Sequence, residues 1–160
     1  MTATEVTLLQ AQAWQVASGI VDPELGSVTI GELGLVRSVT VDENRNVEVV
    51  LTPTFLGCPA LSLIAADVCR VLKTLDVSEV AVRFVASPVW SPSQINEQGR
   101  AKLVELGIGV AAADGSVRCP YCGGGKLASR VPVGSTSCRS VSWCSECRTV
   151  VDVMRASLER

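Results

Sequence analysis

The sequence predicts an α+β chain: a small sheet with helices packed on it, followed by a separate cysteine-rich module. Three observations predict it. Apolar residues recur in the order helix, hairpin, helix, strand, helix across the first two thirds of the chain. Four cysteines then gather as two Cys-x-x-Cys pairs beyond residue 117. The charge divides at the same place: residues 1–117 carry 7 Lys/Arg against 13 Asp/Glu, a net of −6, and residues 118–160 carry 7 against 3, a net of +4. These observations divide the chain into an α+β domain at 1–108, a small-residue linker at 109–117 and a cysteine module at 118–160.

Thr2-x-x-Glu5 has the spacing of a capping box, and Val6, Leu9, Ala13, Val16 and Ile20 form a helical stripe behind it. Asp22-Pro23-Glu24-Leu25-Gly26 reads as a turn, because proline fixes φ while Asp and Gly suit the flanks. Its two carboxylates are close enough to serve a common site, and an ordinary polar turn is the plainer alternative. Leu35 to Val41 alternates, DENRN turns, and Val47 to Thr54 returns, which makes a hairpin with Val47, Val49 and Leu51 on one face.

A helix follows from Pro59 to about Leu75, with Leu61, Ile64, Ala65, Val68 and Leu72 at helical spacing. Glu79 to Ala86 is a third strand. Ser87 to Pro92 is irregular because two prolines bracket it, and Ser91-Pro92-x-Gln94 marks the start of a last helix that stops at Leu106-Gly107. Trp90 between those prolines suits a lid, a partner contact or a core-edge anchor.

Hydrophobic residues at 48% and charged residues at 19% suit a globular chain with a core. No apolar run approaches membrane-spanning length and the first ten residues lack a signal-peptide pattern, so the expected compartment is the cytoplasm, with no membrane partner. Thiols stay reduced there, and an odd count of seven cysteines also argues against a closed disulfide set. The chain has no histidine, which excludes Ser-His-Asp and Cys-His catalysis and imidazole proton shuttles.

Cys58 follows Gly57 and precedes Pro59. Proline suits the first helical position, so Cys58 is expected at the N-cap or beside it. Unpaired N–H groups there favour thiolate over thiol, which gives Cys58 a reason to be reactive or metal-binding. A small core residue is the alternative.

Cys119-Pro-Tyr-Cys122 and Cys144-Ser-Glu-Cys147 have the pattern of a zinc ribbon. Each knuckle points two sulfurs inward, and two knuckles complete the tetrahedron that zinc accepts. The arm between them reads as a hairpin, Lys126 to Val133 out and Ser140 to Trp143 back. With few large apolar residues, this module needs structural zinc to fold. Cys138 offers an alternative ligand beside Cys119, Cys122 and either Cys144 or Cys147, or a spare or redox-labile thiol. Iron is the alternative metal for an all-thiolate set. Gly123-Gly124-Gly125-Lys126 lacks the spacing of a phosphate loop and reads as a knuckle turn.

Asp22-Pro23-Glu24-Leu25, Leu33-Gly34-Leu35-Val36, Thr52-Pro53-Thr54 and Gly57-Cys58-Pro59 together resemble the iron–sulfur-cluster assembly domain of small cytosolic maturation factors. Joined to a C-terminal ribbon with Gly134-Ser-Thr-Ser-Cys138, the whole is similar to the PaaD-like branch of phenylacetate-degradation proteins. The resemblance implies a non-enzymatic maturation factor that helps assemble or insert iron or an iron–sulfur cluster into a multicomponent phenylacetyl-CoA oxygenase (epoxidase). It implies that Cys58 is the functional thiol with Asp22 and Glu24 near it. Thr52 is a further oxygen that could join a transient, incomplete site from which the metal can leave. Expected partners are client oxygenase subunits or other iron–sulfur assembly proteins, and homodimerisation stays open. After Cys147 the chain departs from the family pattern, with Arg148-Thr-Val-Val-Asp-Val-Met where a proline and aromatics are expected.

Two other classes compete. A zinc-ribbon nucleic-acid or protein-binding module would use the basic second part, although a net of +4 is modest and the acidic first part would repel nucleic acid. A thiol redox protein would use a Cys-x-x-Cys pair, but two knuckles together favour metal.

Overall fold

A capping box opens the chain. Thr2 Oγ1 accepts from the Glu5 N–H, and the Glu5 carboxylate accepts from the Thr2 N–H at 2.7 Å, starting α1 (Ala3–Ser18) where the spacing predicts. Leu9, Ala13 and Ala17 form its buried stripe, while Val6 and Val16 are half-buried. The computed structural model describes residues 1–125, 127–131 and 134–155.

The chain forms two compact units, Met1–Pro53 with Pro59–Pro88, and Thr54–Cys58 with Val89–Arg160. In the first, β1 (Val36–Val41) pairs antiparallel with β2 (Val47–Leu51) as the predicted hairpin. Asp42 fastens the turn, its carboxylate accepting from the N–H groups of Asn44 and Asn46. The chain then crosses through α2 (Leu61–Leu72) to β3 (Val80–Phe84), which lies parallel to β2. β2 is therefore the central strand, in the order β1-β2-β3.

Val47, Val49 and Leu51 share one face of β2 and are at most 2% exposed. Both helices contribute to the core, α1 through Leu9, Ala13 and Ala17 and α2 through Ile64, Val68 and Leu72. Burying each such aliphatic side chain stabilises the unit by roughly 1.5–3 kcal/mol, somewhat less for alanine. A bulge between Val36 and Ser38 shifts the β1 alternation, so Val39 and Val41 rather than Ser38 and Thr40 are buried. Gly31 lets the loop approach the end of α1: its N–H donates to Ser18 O at 3.0 Å, and a β-carbon there would overlap Ser18.

In the second unit a 3₁₀ turn at Pro92–Gln94 precedes α3 (Glu97–Glu105). The Ser91–Gln94 capping box exists, but it closes this short turn instead of starting α3. Asn96 is the true cap, its side chain accepting from the Gly99 N–H at 2.8 Å. Gly107, at φ +74°, ends the helix as expected. Trp90 is only 1% exposed, so of its three readings the core anchor is the one observed.

Four strands follow in the order β4-β7-β6-β5: β4 (Ile108–Gly109), β5 (Leu127–Val131), β6 (Arg139–Cys144) and β7 (Val150–Met154). β5 and β6 are the expected hairpin, although Lys126, Pro132 and Val133 of its predicted arm lie outside the described residues. β7 pairs antiparallel with β6 and parallel with β4. The structure thus groups residues 89–108 with the cysteine module, and the segment expected as a linker begins inside β4 and continues into a turn closed by Ala112 and Gly115. Val117, Cys119, Cys144, Val151 and Val153 form a small core there. Among the described residues no helix is long and apolar enough to cross a membrane.

Candidate metal centre and candidate transfer thiol

Two tight turns bring four sulfurs together. In the first knuckle the Gly123 N–H donates to Cys119 O at 2.9 Å and the Cys119 N–H to Gly125 O at 3.1 Å. In the second, the Cys144 N–H donates to Thr149 O at 3.0 Å. Each knuckle places the residue after its second cysteine in the left-handed region, Gly123 at φ +71° and Arg148 at φ +56°. Glycine meets that requirement without strain; arginine does not.

The ligand atoms of Cys119, Cys122, Cys144 and Cys147 all lie within 4.8 Å of one another. Cys119 Sγ is 3.6 Å from Cys147 Sγ, and Cys122 Sγ is 3.7 Å from Cys144 Sγ. A tetrahedron with Zn–S bonds of about 2.3 Å places its sulfurs roughly 3.8 Å apart, which these two pairs match. The pocket is also shaped for them: a β-carbon on Gly125 would come within 2.6 Å of Cys144 Sγ. Cys119 and Cys144 are buried, Cys122 and Cys147 exposed, so one sulfur of each knuckle faces solvent.

Without metal the thiols differ sharply. A hydrogen bond from the Thr149 side chain, aided by the Thr149 backbone and neighbouring sulfurs, lowers the Cys147 thiol to about 6. The N–H groups of Gly125 and Gly124 lower Cys122. Cys144 goes the other way, to about 11: the Cys147 N–H works against the rise, but burial and the adjacent Cys147 and Cys122 sulfurs outweigh it. Thr149 is not legible in the sequence as part of this site, because its hydroxyl acts on a ligand two residues away without being one.

Cys138 stands apart from the quartet. It is buried, its thiol lies 3.1 Å from Thr136 Oγ1, and its carbonyl accepts from the Arg155 N–H at 3.0 Å. That is the packed loop residue among its readings. Nearby, Arg139 Nη1 pairs with Asp152 at 3.4 Å and donates to Ser135 Oγ at 3.0 Å, tying the loop to β7.

Cys58 lies in the 54–58 segment of the second unit, half-buried, and its N–H donates to Phe55 O at 3.1 Å. It is not the N-cap of α2. That position belongs to Ala60, which makes no side-chain cap bond, and the helix begins at Leu61. Pro59 lies in a turn before the helix, a setting that its fixed φ suits as well as a first helical position.

Asp22, Glu24 and Thr52 belong to the first unit. Asp22 is buried, and its Oδ1 accepts from the Glu24 N–H at 2.8 Å while its carbonyl accepts from Leu25 and Gly26. The Asp-Pro-Glu segment is therefore a turn held by its own aspartate. Thr52 is 1% exposed, and its hydroxyl has no hydrogen-bond partner among the described residues. An orphaned buried hydroxyl costs about 1–3 kcal/mol.

Comparison with known proteins distinguishes two modules. Residues 10–83 match the family described as iron-sulfur cluster assembly protein, and residues 108–155 match the PaaD zinc beta ribbon domain. An Escherichia coli protein named as a component of 1,2-phenylacetyl-CoA epoxidase is 30% identical over 90% of this chain and 91% of its own. A Bacillus subtilis protein named Fe-S protein maturation auxiliary factor YitW is 35% identical over 52% of this chain and 82% of its own. The crystal structure of a Bacillus anthracis domain of unknown function aligns with a TM-score of 0.60 at 36% identity, covering 64% of this chain and 97% of that one. The E. coli relative spans both modules, and the chain belongs to the PaaD-like family, in which an iron–sulfur-cluster assembly domain is followed by a zinc β-ribbon.

Proposed function

We propose that this protein is a cytoplasmic maturation factor, not itself a catalyst, that assists the assembly or insertion of iron or an iron–sulfur cluster into a multicomponent phenylacetyl-CoA oxygenase. The similarity to the E. coli epoxidase component over 91% of that chain carries the reading, because it includes both modules in one order. The relatives named as Fe-S protein maturation auxiliary factors support the broader role. The cargo is a substrate of this chain, to be held and released.

Holding and releasing call for different sulfur chemistry from the ribbon's. Cys119, Cys122, Cys144 and Cys147 would hold zinc and stabilise the second unit. Cys58 is the transfer thiol: it is half-buried, so it is neither sealed in the core nor fully open to oxidation. Asp22, Glu24 and Thr52 are the oxygen groups offered to the cargo. The buried, orphaned Thr52 hydroxyl supports its inclusion, since folding alone gives no return for that cost. The basic ribbon, with its net of +4, would dock on acidic client subunits or assembly proteins.

Metal and sulfide analysis of anaerobically purified protein, beside client oxygenase activity in cells, tests the division. Cys144→Ser should lose zinc and destabilise the second unit. Cys58→Ser should fold, keep its zinc and fail to mature the oxygenase. Full client activity with Cys58→Ser would remove the transfer role.

A further inference from the structure

Glu146 sits inside the second knuckle, yet its side chain is laid across the first. A β-carbon on Gly124 would meet Glu146 Oε2 at 2.7 Å, and one on Gly125 would meet the Glu146 Cγ and Cδ at 3.5 Å. The two glycines thus leave a bare floor for this carboxylate. Oε2 lies 4.0 Å from Cys122 Sγ, and both residues are exposed. A carboxylate beside a four-thiolate metal site adds like charge to a centre that already carries an excess of it. An exposed glutamate is free to turn outward, and this one is folded inward over a ligand.

We infer that Glu146 is a reserve oxygen ligand of the ribbon metal, able to replace Cys122. In the exchange the metal–sulfur bond to Cys122 breaks, a bond to the Glu146 carboxylate forms, and the released thiolate stays ionised or takes a proton from water. No electrons move. Zinc takes glutamate oxygen as well as cysteine sulfur as a ligand, so three sulfurs and one oxygen can complete its tetrahedron. Of the four sulfurs, Cys122 is suited to leave because it faces solvent next to its substitute, whereas Cys119 and Cys144 are buried. The ribbon ion would then be exchangeable, unlike that of a sealed four-cysteine site.

Cobalt(II) titration of the full chain, followed by its ligand-field spectrum, tests this. Cys122→Ala should still bind cobalt, with the spectrum of three sulfurs and one oxygen. Cys122→Ala with Glu146→Gln should bind about tenfold more weakly or worse. In the otherwise unaltered protein, Glu146→Gln should slow zinc loss to a neutral chelator several-fold, with the zinc-loaded protein melting as before. The role is overturned if Cys122→Ala binds no cobalt, if its affinity is the same with and without Glu146, or if Glu146→Gln leaves zinc loss unchanged. Glu97→Gln, an exposed carboxylate at the end of α3 away from Gly107, serves as the charge control and should change neither readout. Failure of the exchange would leave the maturation role standing, since that role rests on the similarity over both modules and its transfer step on Cys58.

Discussion

The phenol of Tyr121 lies against the backbone of Gly107, so that a β-carbon built on Gly107 would overlap the Tyr121 hydroxyl. One glycine thereby does two things. At φ +74° it ends α3, and its missing side chain lets the first zinc knuckle rest on that helix end. Gly107→Ala should destabilise the protein by about 2 kcal/mol or more, the left-handed conformation alone accounting for roughly 1–2 kcal/mol. Thermal denaturation reads the loss. Tyr121→Ala in the same background should recover the part due to overlap and leave the conformational part. Equal stability of Gly107→Ala and the parent would show that the knuckle does not bear on α3.

Cys147 and Cys144 should also separate by pH. In metal-free protein, Cys147 titrates at about 6 and Cys144 at about 11. Only thiolate is alkylated, so the Cys147 rate should rise as pH rises through about 6 and then level off. Cys144 should stay nearly inert until the pH approaches 11, its burial adding to the delay. Peptide mass spectrometry after iodoacetamide pulses across pH measures both. Comparable labelling of the two at pH 7 would contradict the assigned environments, and zinc should protect all four ligands.

Much of this is legible in the residues. The Thr2–Glu5 box, the Val47-Val49-Leu51 face and the knuckle quartet depend on short-range chemistry that spacing alone encodes. What escapes depends on partners distant in sequence. β7 lies beyond the hairpin that the spacing predicts, and its pairing with β6 and β4 depends on partners distant in sequence. Arg148 in the left-handed region is equally hidden, since glycine is the residue that normally marks such a position. Ser91–Gln94 misleads for a different reason: a capping box satisfies the first N–H groups of any helical turn, and here the turn is 3₁₀ and ends after three residues. The placement of Cys58 before the helix shows the same ambiguity, because proline suits a turn and a first helical turn alike.

Arg100 offers the sharpest test of the second unit's architecture. From α3 its guanidinium donates to three carbonyls, Pro92 O at 2.7 Å, Ala111 O at 2.8 Å and Ile95 O at 3.1 Å. It thereby binds the 3₁₀ turn and the segment after β4 to one helix. Removing a charged donor that serves several carbonyls costs about 1.5–3 kcal/mol, and the abandoned carbonyls add to that where water cannot reach them. Arg100→Ala should therefore lower stability by about 2 kcal/mol or more, read by denaturant unfolding, and should speed hydrogen exchange at the Gln94, Ile95 and Ala112 amides. Arg100→Lys should recover less than half of the loss, because an ammonium cannot reach three carbonyls with the geometry of the planar fork. Full rescue by lysine would show that charge alone, and not the fork, holds these segments together.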